Sequence, residues 1–287
     1  MNKKNLTTEK TFALAVQNQQ KNNLQVAEKL YKETLKSNPN HVDAHNNLGI
    51  IFKELGELQK AVDCYEKVIQ IQPEDAYAHY NLGLVFKELG ELQKAADCYQ
   101  KVIQIQPDRV VDAHVGLGLV FKELGEHQKA ISCYEKAIQI NPNYAGAHNN
   151  LGNAFDKLNE FQKAISCYEK AIQINPNYAG AHNNLGNAFK ELGEHKKAIG
   201  CYEKAIQIDP NYATAHSNLG KILGELNHVN EAKKYFEKSL NLDPNREKTC
   251  EDYGDLLLKL NQHKKALEYF NKGTGFIQFT QKDFKII

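Results

Sequence analysis

The chain has 287 residues, and its 36 Lys and Arg stand against 35 Asp and Glu for a formal net charge of +1. A balance this close to neutral excludes recruitment of nucleic acid or an anionic membrane surface by a global basic field. A hydrophobic content of 41% with 25% charged residues excludes intrinsic disorder.

At the N-terminus Lys3 and Lys4 precede only a short apolar stretch, Phe12 to Val16, so no secretion signal is expected. Nor does any segment approach the roughly 18 apolar residues that span a bilayer. A soluble, cytoplasmic protein is the expectation. Residues 1–7 are expected to be flexible.

From residue 8 onward a period of 34 residues governs the chain. All seven prolines mark it: Pro39, Pro73, Pro107, Pro142, Pro176, Pro210 and Pro244. Proline lacks the N–H that would continue a helix and disfavours helix in the residue before it, so each one closes a unit. The predicted units are 8–41, 42–75, 76–110, 111–144, 145–178, 179–212 and 213–246, with a partial unit over 247–272. The third is one residue longer, and the extra residue is expected among Asp108, Arg109 and Val110.

Numbering each unit from 1 to 34, position 15 reads Gly56, Gly90, Gly125 and Gly193, or Asn159, Asn227 and Asn261. Both residue types accept the left-handed conformation that ends a helix. Each unit is therefore predicted as helix A over positions 1–14, a tight turn, and helix B over positions 16–30. Glycine also stands at position 8 (Gly49, Gly83, Gly118, Gly152, Gly186), inside helix A, where it costs about 1 kcal/mol relative to alanine. The small residue at position 20 (Ala61, Ala95, Ala130, Ala164, Ala198) is read as its partner across a close A–B contact. Phenylalanine at position 11 and tyrosine at position 24 fill the rest of the seam.

The pattern of Leu at 7, Gly at 8, aromatic at 11, Ala at 20, aromatic at 24 and Pro at 32 resembles the tetratricopeptide repeat, from about residue 8 to residue 272. The resemblance implies an all-α, right-handed superhelical solenoid of stacked hairpins whose A helices line the concave face. One departure is at position 4, where the family's usual tryptophan is histidine: His45, His79, His114, His148, His182 and His216. These are expected to fill half-buried slots between repeats.

Positions 2, 5, 6, 9 and 13 of helix A fall on the face opposite its core positions. Position 6 carries Asn47, Asn81, Asn150, Asn184 and Asn218, interrupted by Gly116, and two central units add Asn149, Asn153, Asn183 and Asn187. A carboxamide offers donors and an acceptor without charge, which suits the backbone of an extended peptide whatever its side chains. Tyr77, Tyr80, Ile50, Leu84, Val115 and Leu119 give the same face an apolar character toward the N-terminal end, expected to anchor hydrophobic side chains. The asparagine ladder resembles the lumen of the repeat arm of O-linked N-acetylglucosamine transferases. The lysine at position 5 with which other members clamp carboxylate tails is absent: Asn46, Tyr80, Val115, Asn149, Asn183 and Ser217 stand there.

Catalytic and metal chemistry find no candidate. There is no C-x-x-C, H-E-x-x-H, G-x-S-x-G or G-x-x-x-x-G-K, and Gly116-Leu117-Gly118 lies mid-helix rather than in a strand-to-helix turn. Cys64, Cys98, Cys133, Cys167 and Cys201 are one position repeated, hence on separate hairpins too far apart to bridge. Neither cofactor nor metal is expected. The sequence thus predicts a non-catalytic scaffold that holds an extended segment of another protein, or alternatively the substrate-recruiting arm of a larger enzyme such as a glycosyltransferase. Self-association through the end repeats is compatible with either. Residues 273–287 form an apolar tail that either caps the last hairpin or leads into a further domain.

Overall fold

A computed structural model of the chain describes residues 3–107, 111–274, 277–279 and 284–286, with side chains placed for residues 7–107 and 111–273. Asp108, Arg109 and Val110, where the extra residue of the third unit was expected, lie outside this set. So does most of the apolar tail.

The chain divides into two compact units, Met1–Pro142 and Asn143–Ile287. The first holds four helical hairpins: α1 (Lys3–Gln20) with α2 (Leu24–Ser37), α3 (Val42–Glu54) with α4 (Leu58–Ile71), α5 (Ala76–Glu88) with α6 (Leu92–Ile105), and α7 (Val111–Glu123) with α8 (His127–Ile140). Helix α1 begins inside the stretch 1–7 that the sequence suggested would be flexible. In the second unit α9 (Ala145–Lys157) pairs with α10 (Phe161–Ile174), α11 (Ala179–Glu191) with α12 (His195–Ile208), α13 (Ala213–Glu225) with α14 (Val229–Leu242), and α15 (Glu247–Lys259) with α16 (His263–Thr274). The unit ends in two short antiparallel strands, β1 (Ile277–Phe279) and β2 (Phe284–Ile286), with Ile277 opposite Ile286 and Phe279 opposite Phe284.

The turns form as the residues at position 15 require. Gly56, Gly90, Gly125 and Gly193 have φ between +74° and +76°, and Asn159, Asn227 and Asn261 lie between +57° and +65°. Asn22 does the same in the first hairpin at +59°. At the end of α3 the Glu57 N–H returns 2.8 Å to the Phe52 carbonyl and the Gly56 N–H 3.0 Å to that of Lys53, which satisfies carbonyls the helix leaves open.

Within each unit, every B helix packs on the A helix that follows it. Successive A helices also touch directly, α5 with α7 in the first unit and α9 through α11 and α13 to α15 in the second. The hairpins of each unit thus form an α-helical solenoid with its own core. Tyr31, Tyr65 and Tyr99 with Leu48, Phe52 and Val85 centre the first, and Tyr168, Tyr202 and Phe236 with Leu185, Leu219 and Leu257 the second.

The glycines at position 8 have a different partner from the one their spacing suggested. The position-20 alanines are fully buried, but a Cβ on Gly118, Gly152 or Gly186 would first meet the ring of Tyr134, Tyr168 or Tyr202, at 2.5, 2.5 and 2.6 Å. The position-24 aromatic ring lies directly against the helix A backbone. That large buried ring, rather than alanine-to-glycine packing, is what offsets the poor helix propensity of glycine.

The position-4 histidines lie in half-buried or buried slots. In His45, His79, His182 and His216 the ring Nε2 bonds the carbonyl of the preceding proline, at 2.9, 2.9, 3.1 and 3.0 Å, so each ties helix A to the end of the unit before it. Burial lowers the pKa of His45, His114 and His182, with Lys67, Lys136 and Lys204 adding to the shift. The neutral rings are therefore favoured in the fold. This contribution to stability is present above the ordinary value of 6.5 and is lost as pH falls through the depressed folded values.

Candidate functional site

The A-helix face differs between the two units. In the second, the asparagines form a hydrogen-bonded network rather than a row of free amides. Asn184 on α11 donates from Nδ2 to Asn149 Oδ1 at 3.1 Å and Asn153 Oδ1 at 3.0 Å, both on α9. One repeat later, Asn218 on α13 donates from Nδ2 to Asn183 Oδ1 at 2.9 Å and Asn187 Oδ1 at 3.1 Å, both on α11. From below, the buried tyrosines complete it: Tyr168 donates its hydroxyl to Asn153 Oδ1 and Tyr202 to Asn187 Oδ1, each at 2.9 Å.

This geometry corrects part of the sequence reading. Asn149 and Asn183, expected on the open face, are only 6% and 2% exposed. Position 5 lies where adjacent A helices meet, so its amide is taken up between hairpins. Asn150, Asn153, Asn184, Asn187 and Asn218 remain half-buried on the face. The network also divides the atoms of each amide. With Oδ1 of Asn153 and Asn187 engaged from two sides, their Nδ2 groups are left without a protein partner. With both Nδ2 hydrogens of Asn218 engaged, its Oδ1 is the free end, and Asn184 Oδ1 meets only the Nδ2 of Asn183 at a long 3.4 Å. Each rung accordingly offers a donor group at position 9 and an acceptor at position 6.

The next rung keeps the spacing and changes the chemistry. Lys221 at position 9 donates from Nζ to Asp252 Oδ1 at position 6 of the following repeat, 2.9 Å away and 31 residues on, as in the pairs 153–184 and 187–218. A lysine cannot accept from a tyrosine hydroxyl, and the position-24 residue beneath it is Phe236. Around this end, Asp156, Lys157, Asn187, Lys190, Asn218, Lys221, Lys248 and Asp252 line an open basin of about 510 Å³.

In the first unit, Asn47 Nδ2 donates to the Tyr31 hydroxyl at 3.1 Å, which itself donates to Gln19 Oε1 at 2.7 Å. Asn81 turns back onto its own helix, bonding the Tyr77 carbonyl at 3.0 Å. No ladder runs here, because position 9 is apolar. Ile50, Leu84 and Leu119 leave the hydroxyls of Tyr65, Tyr99 and Tyr134 buried without a hydrogen-bond partner. Of the apolar residues expected on this face, Tyr77 is open to solvent at 52% exposure. Ile50, Tyr80, Leu84 and Leu119 are half-buried, with Tyr80 and Leu84 packed against the core. Val115, at 8%, belongs to the interior and is withdrawn from the face.

The sequence reading missed the link between Asn at position 9 and Tyr at position 24, and the charged basin. A signal existed for the first: Asn153 and Asn187 occur with Tyr168 and Tyr202, whereas Lys221, which cannot accept, occurs with Phe236.

None of the six cysteines is in a disulfide bond. Burial pushes the Cys64 and Cys98 thiols up to about 12 and those of Cys133 and Cys201 to about 11, which disfavours the reactive thiolate. Among the described residues no group of three or more His, Cys, Asp or Glu is placed to hold a metal ion, and no helix is long and apolar enough to cross a membrane.

Stacked helical hairpins joined through their A helices define a helical-repeat protein of the interaction-scaffold class. Family models described as TPR repeat match residues 49–90, 118–159, 152–193 and 186–227, and models described as tetratricopeptide repeat match 30–63, 76–109, 213–246 and 248–276. The chain belongs to the tetratricopeptide repeat family. Among solved structures, it is similar to the MamA protein at 30% identity and a TM-score of 0.56, over 60% of this chain and 94% of that one. It also resembles PilF of Pseudomonas aeruginosa, at 21% identity and a TM-score of 0.61, over 69% of this chain and 90% of the other. YrrB, described as a TPR protein with an unusual peptide-binding site, aligns at 22% identity and a TM-score of 0.54, over 64% and 95% of the two chains. The comparison with curated protein sequences returns no match.

Proposed function

We propose that the chain is a non-catalytic scaffold that holds an extended segment of another protein, and that the A-helix face of the second unit grips the segment by its backbone. The observation that carries this reading is the division of the amide atoms. Asn153 and Asn187 have Oδ1 held from two sides while Nδ2 has no protein partner, so each presents a fixed donor group. Asn184 and Asn218 present acceptors beside them. Oriented donors and acceptors in alternation match the carbonyls and N–H groups of an extended chain, and their pre-organisation lowers the entropy lost on binding. Neighbouring A helices about 9 Å apart meet a chain that advances about 3.3 Å per residue at roughly every third residue. In the first unit the exposed ring of Tyr77, with Tyr80, Leu84 and Leu119 beside it, suits apolar side chains instead. Cysteines repeated on separate hairpins without a disulfide fit a reducing compartment such as the cytoplasm.

The test uses a pool of proline-free peptides of about 12 residues, long enough to cross the four A helices of one unit. Members enriched on the protein are remade with backbone N-methyl groups at every third residue. If the backbone is what is read, one of the three possible registers of methylation weakens binding about fivefold per lost N–H donor. Equal binding by all three registers rules the reading out.

A further inference from the structure

The two asparagine rungs of the second unit are copies of one another: Asn184 bonds Asn149 and Asn153 at 3.1 and 3.0 Å, and Asn218 bonds Asn183 and Asn187 at 2.9 and 3.1 Å. A chain that meets both rungs alike must show the same side at each. In a β-strand successive residues point to opposite sides, so residues i and i+3 face apart. A polyproline II chain has three residues per turn and advances about 3.1 Å per residue, so the same side returns about every 9.3 Å, within the roughly 8–10 Å between packed helices. That conformation also has no internal hydrogen bonds, which leaves its carbonyls and N–H groups open to asparagine.

A second row runs beside the ladder. Helices α9, α11 and α13 each start from a tyrosine at position 34 of the preceding repeat, Tyr144, Tyr178 and Tyr212, and none of the three makes a side-chain cap bond. In the first unit the same position does cap: His41 accepts from the Ala44 N–H at 3.3 Å and Asp75 from the Ala78 N–H at 2.9 Å. The tyrosines thus forgo a contact that stabilises a helix start. A Cβ on Gly146 or Gly180, at position 2, would come within 3.2 Å of Cε2 of Tyr144 or Tyr178, so these rings fold over the start of helix A toward its ladder face. All three rings are half-buried, and their hydroxyls have no hydrogen-bond partner among the described residues. Burial raises the pKa of Tyr178, with Tyr144 adding to the shift; burial also raises that of Tyr212, with Arg246 opposing and Tyr178 adding. The phenols are therefore neighbours in one row, spaced one ring to a repeat.

We propose that the segment held on the second unit is a polyproline II helix with proline at every third residue. Its pyrrolidine rings pack on Tyr144, Tyr178 and Tyr212, and the two residues between prolines present their carbonyls and N–H groups to the asparagine rungs. The inference rests on the backbone-gripping reading of that unit and adds a conformation and a sequence period to it. Proline meets both demands. It holds φ near the polyproline value of about −65° to −75°, and its missing N–H falls where the chain faces tyrosine rather than asparagine. Aromatic rows are suited to the apolar side of such a helix.

Three pools of peptides of about 12 residues test it on the wild-type chain. One is proline-free, one carries proline at every third residue, and one carries the same number of prolines at alternating spacings of two and four residues. The triplet pool should bind about tenfold more tightly than either other pool. Tyr178→Ser, which removes the ring and supplies a neutral cap for α11, should lose most of that advantage with little change in thermal midpoint, whereas Tyr178→Phe should keep it. If the proline-free pool binds and the triplet pool gains nothing over it or over the irregular pool, the polyproline conformation is refuted while the backbone reading survives. A triplet advantage that Tyr178→Ser retains in full, or that Tyr178→Phe loses, refutes the tyrosine row. If no pool binds, the backbone reading fails and this inference fails with it.

Discussion

Replacing Gly152 by alanine is expected to destabilise the protein by about 2 kcal/mol, although alanine is the better helix former by about 1 kcal/mol. The new Cβ would stand 2.5 Å from Tyr168 Cε1 and 2.7 Å from Cδ1, well inside contact distance. The ring cannot retreat cheaply, because it is 1% exposed and its hydroxyl is tied to Asn153 Oδ1 at 2.9 Å. Gly200 makes the natural control. It lies in the middle of α12 with nothing within 4 Å of its would-be Cβ, so Gly200→Ala should stabilise by up to about 1 kcal/mol. Denaturant titrations of the two variants should move in opposite directions. A loss at both positions, or a gain at both, would disprove the assignment of the position-24 ring as the reason for the glycine.

The second large effect is a reversal of sign along a single repeated position. Tyr65, Tyr99 and Tyr134 bury hydroxyls with no partner, whereas those of Tyr168 and Tyr202 donate to asparagine. An unsatisfied buried hydroxyl costs about 1–3 kcal/mol, and a satisfied one contributes about 1 kcal/mol. Tyr65→Phe, Tyr99→Phe and Tyr134→Phe combined should therefore raise stability by about 3 kcal/mol, while Tyr168→Phe with Tyr202→Phe should lower it by about 2 kcal/mol. The chain has made the first kind of replacement itself at Phe236, under Lys221, which cannot accept. Unfolding midpoints of the two combined variants measure the contrast. Equal shifts would show that the amides of Asn153 and Asn187 do not recognise the hydroxyls beneath them.

These contrasts mark the limit of what the residue pattern discloses. Seven prolines at one spacing, and only Gly or Asn at position 15, are backbone signals, and backbone signals transfer directly to hairpins and left-handed caps. Side-chain partnerships do not transfer in the same way. Position labels place Gly152 and Ala164 on facing helices, yet the ring of Tyr168 reaches the glycine first. Likewise, helical periodicity puts Asn149 and Asn153 on one face of α9. It is the approach of α11 that buries Asn149 at 6% exposure and leaves Asn153 half-open. The recurrent separation of 31 residues between positions 9 and 6 is present in the sequence, but its meaning depends on how far one hairpin is rotated against the next. The charged basin escaped notice for a related reason: Asp156, Lys190, Lys221 and Asp252 occupy three different repeat positions and converge only once the repeats stack.

The central claim is that Asn153 and Asn187 turn their Oδ1 atoms inward and reserve their Nδ2 groups for a bound backbone. Aspartate has the same shape as asparagine, so Asn153→Asp combined with Asn187→Asp isolates those groups. A carboxylate still accepts from Tyr168, Tyr202, Asn184 and Asn218, so the inner network is kept, while both outward donor groups are removed. The most direct measurement titrates this double variant and the wild type with an uncharged peptide enriched from the pool, at moderate salt, alongside their unfolding midpoints. The account predicts a change in stability of no more than about 1 kcal/mol and a loss of binding of about a hundredfold for two donor sites. Undiminished binding by a stably folded double variant would contradict it.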